Sequence, residues 1–262
     1  MCEGHQFCLC SLWSDDSGIS VPLSIQPVQK ALVWNKQKSK EVYKALHNKN
    51  AVFRTMVRRL TRSKRVDYVL CDSWYSGKEN MNYLVLECET NFIMALKSNR
   101  GVARSQKEAK AGNFKPLQDM KLGKGAVKVY IKGVEFPLLV VKKVFKNEDG
   151  SSGTLYLATS NTELCYEQIL HLYKRRWKIE EYHKSLKSNC SLGKCQAFSQ
   201  RAQQSHFYLS ALAFLLLEKA KAQKDKNQFA LKKELNILTI KYGLKMIKKL
   251  LHVNTKNISV AA

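Results

Sequence analysis

The sequence predicts an α/β fold in which helices flank a mixed sheet. Two observations lead to this prediction. β-rich runs alternate with helical patterns over residues 6–159, and the pattern is helical from residue 163 onward. The predicted order is strand, strand, helix, strand, helix, strand, β-rich insertion, strand and then helices. This order fits many α/β folds, so it defines a class rather than one topology.

The first predicted elements are a β-hairpin and a long helix. β-rich runs at Gln6–Trp13 and Ile19–Val28 flank Ser14–Gly18, whose residues favour a turn. Lys36–Lys64 is predicted to be a helix, because its apolar residues follow helical spacing. The rest of this helix is basic, and that face either is solvated or contacts DNA. The basic residues are Arg54, Arg58, Arg59, Arg62, Lys64 and Arg65.

Residues 99–152 differ in composition and are predicted to form a β-rich insertion. A Lys/Gly-rich stretch at 101–125, expected to be flexible, precedes two β-rich runs. The runs are Ala126–Ile131 and Phe136–Phe145, and a turn signal follows at Asn147–Gly150. The other predicted strands are Val66–Cys71, Asn91–Leu96 and Gly153–Thr159. The other predicted helices are Lys78–Glu87, Glu163–Ser188, Ala202–Ala222 and Asn227–Leu251, the last interrupted or bent at Gly243.

The charge of the chain indicates a polyanionic partner. Lys and Arg total 45 against 21 acidic residues, a formal net charge of +24, and basic surfaces bind nucleic acid by releasing counterions from phosphate. A ribosome-associated protein and a surface of solvated lysines are the alternatives. No membrane association is expected, since the longest apolar run, Phe207–Leu217, is too short to span a bilayer. Met1 is not followed by the pattern of a signal peptide.

The eight cysteines are scattered without a disulfide spacing, and reduced thiols are expected. Cys2, His5, Cys8 and Cys10 are close in sequence. A structural zinc site normally has two separated pairs of ligands, so buried small residues are the favoured interpretation of these four.

The segment from Tyr173 to Lys187 carries the strongest functional signal. Tyr173, Arg176, Glu180 and Lys187 stand at the spacing Tyr-x2-Arg-x3-Glu-x6-Lys, and on one continuous helix they fall within an arc of about 60°. A carboxylate among cations suits phosphodiester chemistry, where it helps to hold a divalent ion while Arg and Lys hold the DNA backbone. A surface helix with Glu–Lys pairs is the structural alternative. The adjoining face is expected to pack on the sheet through Leu172, Ile179, Tyr182 and Leu186.

This signature resembles that of the DDE transposases of bacterial insertion sequences. These include the group typified by insertion sequence four and the Tn-five transposase, and the resemblance covers roughly Gln6–Leu217. It implies a ribonuclease H-like mixed sheet flanked by helices, with a β-rich insertion before the helix of the catalytic Glu and a helical C-terminus. The implied divisions are a first part of the core at 1–98, the insertion at 99–152, a second part of the core at 153–225 and a basic helical tail at 226–262.

The resemblance also implies roles for single residues. Glu180 corresponds to the third catalytic carboxylate. Asp72, in a segment Val69–Ser76 similar to the family's motif, corresponds to the second. Both are implied ligands of Mg²⁺ or Mn²⁺, while Asp72 as a turn or helix cap is the alternative. Trp74 and Tyr75 either stack on bases or pack in the core. The implied DNA contacts are Tyr173, Arg176, Lys187, Arg175 and Lys184.

The family takes its first carboxylate from a strand that precedes the hairpin. Gly4–Gln6 resembles the approach to the second strand, so the first strand and its aspartate are expected to be absent. That absence is expected to leave the hairpin and the Asp72 strand with unpaired backbone groups. Asp15 and Asp16 lie at the wrong end of the hairpin to substitute for the missing aspartate, and Glu3 is a still weaker substitute.

The expected function is therefore that of a DNA transposase catalytic domain, in an inactive copy truncated at its 5′ end. An intact member would move an insertion sequence by cut-and-paste, through metal-dependent phosphodiester hydrolysis and strand transfer. The expected partner is double-stranded DNA, at transposon ends and target, bound by a homodimer in the bacterial cytoplasm at the nucleoid. A non-catalytic DNA-binding remnant is the main alternative, and an unrelated RNA-associated basic protein is the third hypothesis.

Overall fold

A computed structural model of the chain describes most of its residues. The described residues are 7–28, 30–123, 125–197, 199–224 and 226–258. They fall into two compact units. The first comprises Met1–Cys10 and Gln26–Ile179, and the second comprises Ser11–Ile25 and Glu180–Ala262.

The elements are labelled here in chain order. The strands are β1 (Phe7–Trp13), β2 (Ser20–Pro27), β3 (Lys30–Asn35), β4 (Lys40–Ala45), β5 (Tyr68–Cys71), β6 (Asn91–Leu96), β7 (Gly101–Ala103), β8 (Lys115–Pro116), β9 (Val127–Ile131), β10 (Leu138–Lys146) and β11 (Ser152–Thr159). The α-helices are α1 (Lys49–Ser63), α2 (Lys78–Asn82), α3 (Gln106–Lys110), α4 (Tyr166–Lys174), α5 (Lys178–Ser188), α6 (Gln200–Lys224) and α7 (Gln228–Ile258).

A seven-stranded sheet forms the centre of the first unit. Its strand order is β5-β6-β11-β10-β9-β7-β8. β5 and β6 are parallel, whereas the other five neighbouring pairs are antiparallel. The sheet is therefore mixed, as the order of elements predicts. Five of the six residues of β6 are buried, which explains why that strand is an almost unbroken apolar run.

The strand that precedes Asp72 stands at one end of this sheet. β5 has β6 as its neighbour in the strand order, while β1 and β2 pair with each other in a separate two-stranded sheet. The predicted hairpin is thus confirmed, with Gly18 in its turn at a φ of +61°. Gln6, which the sequence placed in the first strand, lies outside the described residues.

The predicted helix Lys36–Lys64 is wrong in its first part. That part contains β4, which pairs with the preceding strand β3 as an antiparallel hairpin, with Leu32 opposite Tyr43 and Val33 opposite Val42. β-branched and aromatic residues favour this conformation. The helix begins only after Asn48, whose side chain accepts a hydrogen bond from the Asn50 N–H and caps its first turn.

Two further expectations about local structure need correction. The stretch 101–125, expected to be flexible, contains β7, α3, β8 and a 3₁₀ turn at Leu117–Asp119 within its described residues. The long C-terminal helix also continues through Gly243 without interruption. A single glycine lowers helix stability by only about 1 kcal/mol, which its neighbours compensate.

The predicted helix Glu163–Ser188 is not one continuous α-helix. α4 ends at Lys174, a 3₁₀ segment covers Arg175–Trp177, and α5 follows. A 3₁₀ segment turns about 120° per residue instead of 100°. The calculated arc of about 60° for the four signature residues assumed a continuous α-helix, so it does not apply to this segment.

Helices dominate the second unit. Tyr182 of α5 is buried and packs edge-on against Phe214 of α6, with ring centroids 4.5 Å apart. The buried Glu218 accepts hydrogen bonds from the Ser20 N–H at 3.0 Å and from the Gln228 amide at 2.7 Å. One carboxylate thereby ties the hairpin strand β2 and the start of α7 to α6. Among the described helices, none combines the length and the apolar character that crossing a membrane requires.

Candidate active site

Asp72 follows the last residue of β5, where the sequence placed it. Its Oδ1 atom accepts a hydrogen bond from the Trp74 N–H at 2.9 Å, and its carbonyl accepts one from the Tyr75 N–H at 3.3 Å. Asp72 therefore shapes the turn after β5, which is the structural role that the sequence left open. The residue is nevertheless exposed, so its carboxylate also lies where a ligand could reach it.

Tyr173 connects α4 to the end of the same strand. Its hydroxyl donates a hydrogen bond to the Cys71 carbonyl at 3.4 Å. Burial raises the pKa of Tyr173 to about 12, the positive charge of Arg176 opposes that rise, and the Cys71 and Asp72 side chains add to it. The tyrosine of the signature thus lies next to the strand end that presents Asp72.

Arg176 lies in the same neighbourhood, three residues after Tyr173. Its guanidinium lies 5.7 Å from the centre of the Tyr173 ring. Burial, with the negative charge of Asp72, raises the pKa of the Cys71 thiol, and Arg176 acts against that rise. The first unit therefore brings together one carboxylate, one phenol and one guanidinium.

Trp74 and Tyr75 have different environments. The Tyr75 ring stacks on Phe53 with centroids 4.9 Å apart, and its hydroxyl lies 3.9 Å from the Cys8 sulfur. Trp74 is 63% exposed, with the Lys49 ammonium 5.6 Å from its ring. Core packing is thus the interpretation that fits Tyr75, while Trp74 remains available at the surface.

A polar network braces the turn that follows Asp72, and no local sequence pattern indicates it. The buried Asn80 donates hydrogen bonds to the Tyr75 carbonyl at 2.9 Å and to Asn50 at 2.8 Å. It also accepts one from Arg54 at 2.8 Å. Arg54 belongs to the helix face that is predicted to be solvated or to contact DNA. Its hydrogen bond to Asn80 instead ties its side chain to this turn. The Arg100 guanidinium donates to the Ser76 carbonyl in the same turn.

The remaining signature residues lie in the second unit, on α5. Glu180 is half-buried, whereas Lys184 and Lys187 are exposed. The Lys184 ammonium lies 5.5 Å from the centre of the Phe229 ring. Burial lowers the pKa of His183, and the charge of Lys187 lowers it further. α5 thus presents one carboxylate and two lysines on its accessible side.

The structure describes Asp72 and Glu180 each within its own unit, so their pairing as metal ligands stays a prediction. Within the described ranges, no group of three or more His, Cys, Asp or Glu side chains is placed to hold a metal ion. Asp15 accepts a hydrogen bond from the Trp13 indole at 2.9 Å in the hairpin turn, which is an ordinary role for a turn residue.

The four N-terminal residues considered for zinc are only partly described. Cys2 and His5 lie outside the described residues. Cys8 is buried, and burial raises the pKa of Cys10 to about 11. At that pKa the Cys10 thiol is protonated at neutral pH.

A carboxylate at a strand end, next to an arginine and a tyrosine, is a geometry suited to acting on phosphodiesters. The comparison with protein families agrees with it. The family described as "Transposase DDE domain" matches residues 39–216, which is more than half of the chain. The chain therefore belongs to the transposase DDE domain family. No curated protein sequence matches it.

Proposed function

We propose that this chain is the catalytic domain of a DNA transposase of the group with the Tyr-Arg-Glu-Lys signature. Members of such a group move an insertion sequence by metal-dependent phosphodiester hydrolysis and strand transfer. The observation that carries the proposal is the placement of Asp72 at the end of β5, beside Tyr173 and Arg176. The match of residues 39–216 to the transposase DDE domain family supports the assignment to a transposase.

The proposed metal ligands are Asp72 and Glu180. Carboxylate oxygens are hard donors, which suits Mg²⁺ and Mn²⁺ rather than softer ions. Asp72 is exposed and uses Oδ1 for the turn, so the proposal assigns its second oxygen to the cation. A bound ion would stabilise the charge that develops on phosphate during transfer.

The proposed DNA contacts are the cationic side chains of the signature segment. Arg176 would make a two-pronged contact to a phosphate, and Lys187 would act as a point charge. Arg175 and Lys184 are proposed as further phosphate contacts, and Tyr173 holds the end of α4 against β5. The net charge of +24 favours binding to nucleic acid through its phosphates, whatever the base sequence.

We further propose that the 262-residue polypeptide by itself binds DNA without cutting it. The proposed ligands are two carboxylates, and two-metal phosphoryl transfer usually employs a third that both ions share. This proposal includes the second candidate function, a basic protein that holds DNA without catalysis.

Two assays on the purified chain test these proposals. Binding to a fluorescein-labelled duplex should weaken steeply with salt, and the replacement of Arg175, Lys184 or Lys187 by Gln should reduce the salt slope by about 0.9 each. Lys107→Gln, an exposed position in α3, is the matched control and should leave the slope unchanged. Stronger binding to structured RNA than to duplex DNA would overturn the DNA assignment.

The cleavage assay uses supercoiled plasmid with Mg²⁺ or Mn²⁺. No relaxation of the plasmid is expected from the wild-type chain. Relaxation that disappears in Asp72→Asn and in Glu180→Gln, but persists in Glu181→Gln, would contradict the proposed lack of cleavage and would support both carboxylates as catalytic. Relaxation that persists in all three variants would contradict a catalytic role for Asp72 and Glu180.

A further inference from the structure

The hairpin of β3 and β4 is a two-stranded ribbon that is exposed on both of its faces. The two strands form a sheet of their own. Across residues 30–45, all of which the structure describes, no residue is buried. An isolated two-stranded ribbon is marginally stable in water, because it has no core in which to bury its apolar side chains. Large apolar side chains on such an element usually mark an interaction surface.

One face of the ribbon carries three large exposed side chains. Leu32 stands directly opposite Tyr43, and Trp34 shares their face, because alternate residues of a strand lie on the same side. The exposed fractions are 47% for Leu32, 60% for Trp34 and 54% for Tyr43. Trp34 and Tyr43 are diagonal neighbours, with Cα atoms roughly 7–8 Å apart. These three side chains, here called the ribbon face, therefore offer two aromatic rings to one ligand.

The charge of the ribbon indicates an anionic ligand. Residues 30–45 contain five lysines and one acidic residue, Glu41. Lys36 and Lys38 lie in the turn between the strands. The side chain of Asn35 holds this turn in place, since its Oδ1 atom accepts a hydrogen bond from the Lys38 N–H at 3.2 Å. The ribbon thus combines an aromatic face with a cationic turn of defined shape.

An unpaired nucleic-acid strand fits both features. Its phosphates pair with lysines, and its bases stack on exposed aromatic rings whatever their sequence. In a duplex the base faces are covered by their neighbours in the stack, and uncovering them costs free energy. A duplex would therefore engage the lysines and leave the ribbon face in water.

The ribbon is connected to the turn that follows Asp72 by a short piece of chain. β4 ends at Ala45, and Lys49, four residues later, has its ammonium 5.6 Å from the ring of Trp74. Four residues span at most about 14 Å. The end of the ribbon therefore lies within about that distance of Lys49, at the side of the candidate site where a cut strand would be released.

We infer that the ribbon is a binding site for single-stranded DNA. Bases stack on Trp34 and Tyr43, and Lys36 and Lys38 hold the phosphates. The choice of DNA over RNA rests on the proposed function, whereas the stacking does not. This site is additional to the phosphate contacts proposed for the signature segment. Its residues up to Lys38 also precede the stretch 39–216 that matches the family.

The first test measures binding of the full chain by fluorescence anisotropy. The probes are a labelled oligothymidylate of about 12 nucleotides and a labelled blunt duplex. Trp34→Ala and Tyr43→Ala should each weaken binding of the single strand by at least about fivefold, the lower bound for one stacked base. Trp34→Phe should retain most of the affinity, because it keeps a ring. Affinity for the duplex should stay as in the wild type. Unchanged binding of the single strand, or equal losses for both probes, would overturn the inference.

Two matched controls separate the rings from the rest of the surface. Val33 lies on the other face of the ribbon and is 43% exposed, and Tyr208 on α6 is exposed to nearly the same degree as Tyr43. Neither Val33→Ala nor Tyr208→Ala should change the affinity for oligothymidylate. A loss in Val33→Ala as large as in Trp34→Ala would show that the fold of the ribbon, and not its rings, governs binding, which contradicts the stacking.

Salt dependence tests the cationic turn. Lys36→Gln and Lys38→Gln should each lower the salt slope for oligothymidylate by about 0.7, while Lys107→Gln should leave it unchanged. An unchanged slope in both turn variants would contradict the assignment of phosphates to the turn. The proposed function is tested separately by the duplex slopes of the Arg175, Lys184 and Lys187 variants. If those slopes stay at the wild-type value while Trp34→Ala still weakens binding of the single strand, the signature contacts fail and the ribbon site stands.

Photo-cross-linking locates the bases without any substitution in the chain. An oligonucleotide that carries bromodeoxyuridine in place of thymidine should form adducts on Trp34 or Tyr43, identified by mass spectrometry of the digested complex. Adducts confined to residues outside 30–45 would overturn the inference. Oligouridylate of the same length is the RNA competitor. If it displaces oligothymidylate at a lower concentration than unlabelled oligothymidylate does, the choice of DNA is wrong.

Discussion

Replacing Asp72 by asparagine separates the two roles that its carboxylate can have. In the turn, Oδ1 accepts the Trp74 N–H at 2.9 Å, and the amide oxygen of asparagine can accept the same bond. The free energy of unfolding should therefore change by less than about 0.5 kcal/mol. Asp72→Ala removes the acceptor from an exposed turn and should cost about 0.5–1 kcal/mol. Urea unfolding of the three proteins measures both changes.

Metal affinity, unlike stability, should fall equally in the two variants. Both variants lose a charged ligand, so the affinity for Mn²⁺, measured by electron paramagnetic resonance, should fall by at least about tenfold in Asp72→Asn and in Asp72→Ala alike. Asp67→Asn is the matched control, because Asp67 is an exposed carboxylate just before the same strand, paired with Arg65 at 3.5 Å. The control should bind Mn²⁺ as the wild type does.

Two results would refute this reasoning. If Asp72→Asn bound Mn²⁺ like the wild type while Asp72→Ala lost stability, Asp72 would be a turn residue and nothing more. If Asp72→Asn unfolded as easily as Asp72→Ala, the hydrogen bond to Trp74 would not be what the carboxylate contributes to the turn.

Three further predictions concern stability, each followed by urea unfolding. The pKa of Tyr173 is about 12 in the folded chain against an ordinary value of 10. The stability that the neutral phenol contributes is therefore present below pH 10 and is lost as the pH rises toward 12. Tyr173→Phe should lose less stability over that interval than the wild type. Glu218→Ala should cost about 2–4 kcal/mol, because the Ser20 N–H and the Gln228 amide lose a buried acceptor. Leu157→Ala, at a fully buried position of β11, should cost about 2–5 kcal/mol.

Five of the seven strands of the central sheet could be predicted from the sequence because their signal is local. β6 is an apolar run bounded by polar residues, and the predicted strand Asn91–Leu96 has the observed bounds. β11 differs from its prediction by one residue. The position of Asp72 at a strand end follows from the same local pattern.

The errors arose where local patterns competed or where partners are distant in sequence. The helix predicted from the apolar spacing in α1 began at Lys36 and so covered β4, although Val42 and Tyr43 favour a strand. The 3₁₀ segment Arg175–Trp177 changes the phase of the helix, and it contains no proline or glycine that would predict such a break.

Long-range contacts left no local pattern at all. Glu218 bonds to Ser20, which lies 198 positions earlier in the chain. The bond from Tyr173 to the Cys71 carbonyl spans 102 positions. Such partners are brought together by the tertiary fold, so the spacing of residues along the chain carries no information about them.

The proposed metal site is tested most directly by locating Mn²⁺ in crystals of the chain. Crystals grown with millimolar Mn²⁺ should show an anomalous-scattering peak bound by carboxylate oxygens of both Asp72 and Glu180. In crystals of Asp72→Asn that peak should be weak or absent. A well-occupied Mn²⁺ site that involves neither carboxylate, or wild-type crystals with Asp72 and Glu180 too far apart to share an ion, would contradict the proposal that these two residues form the metal centre of a transposase domain.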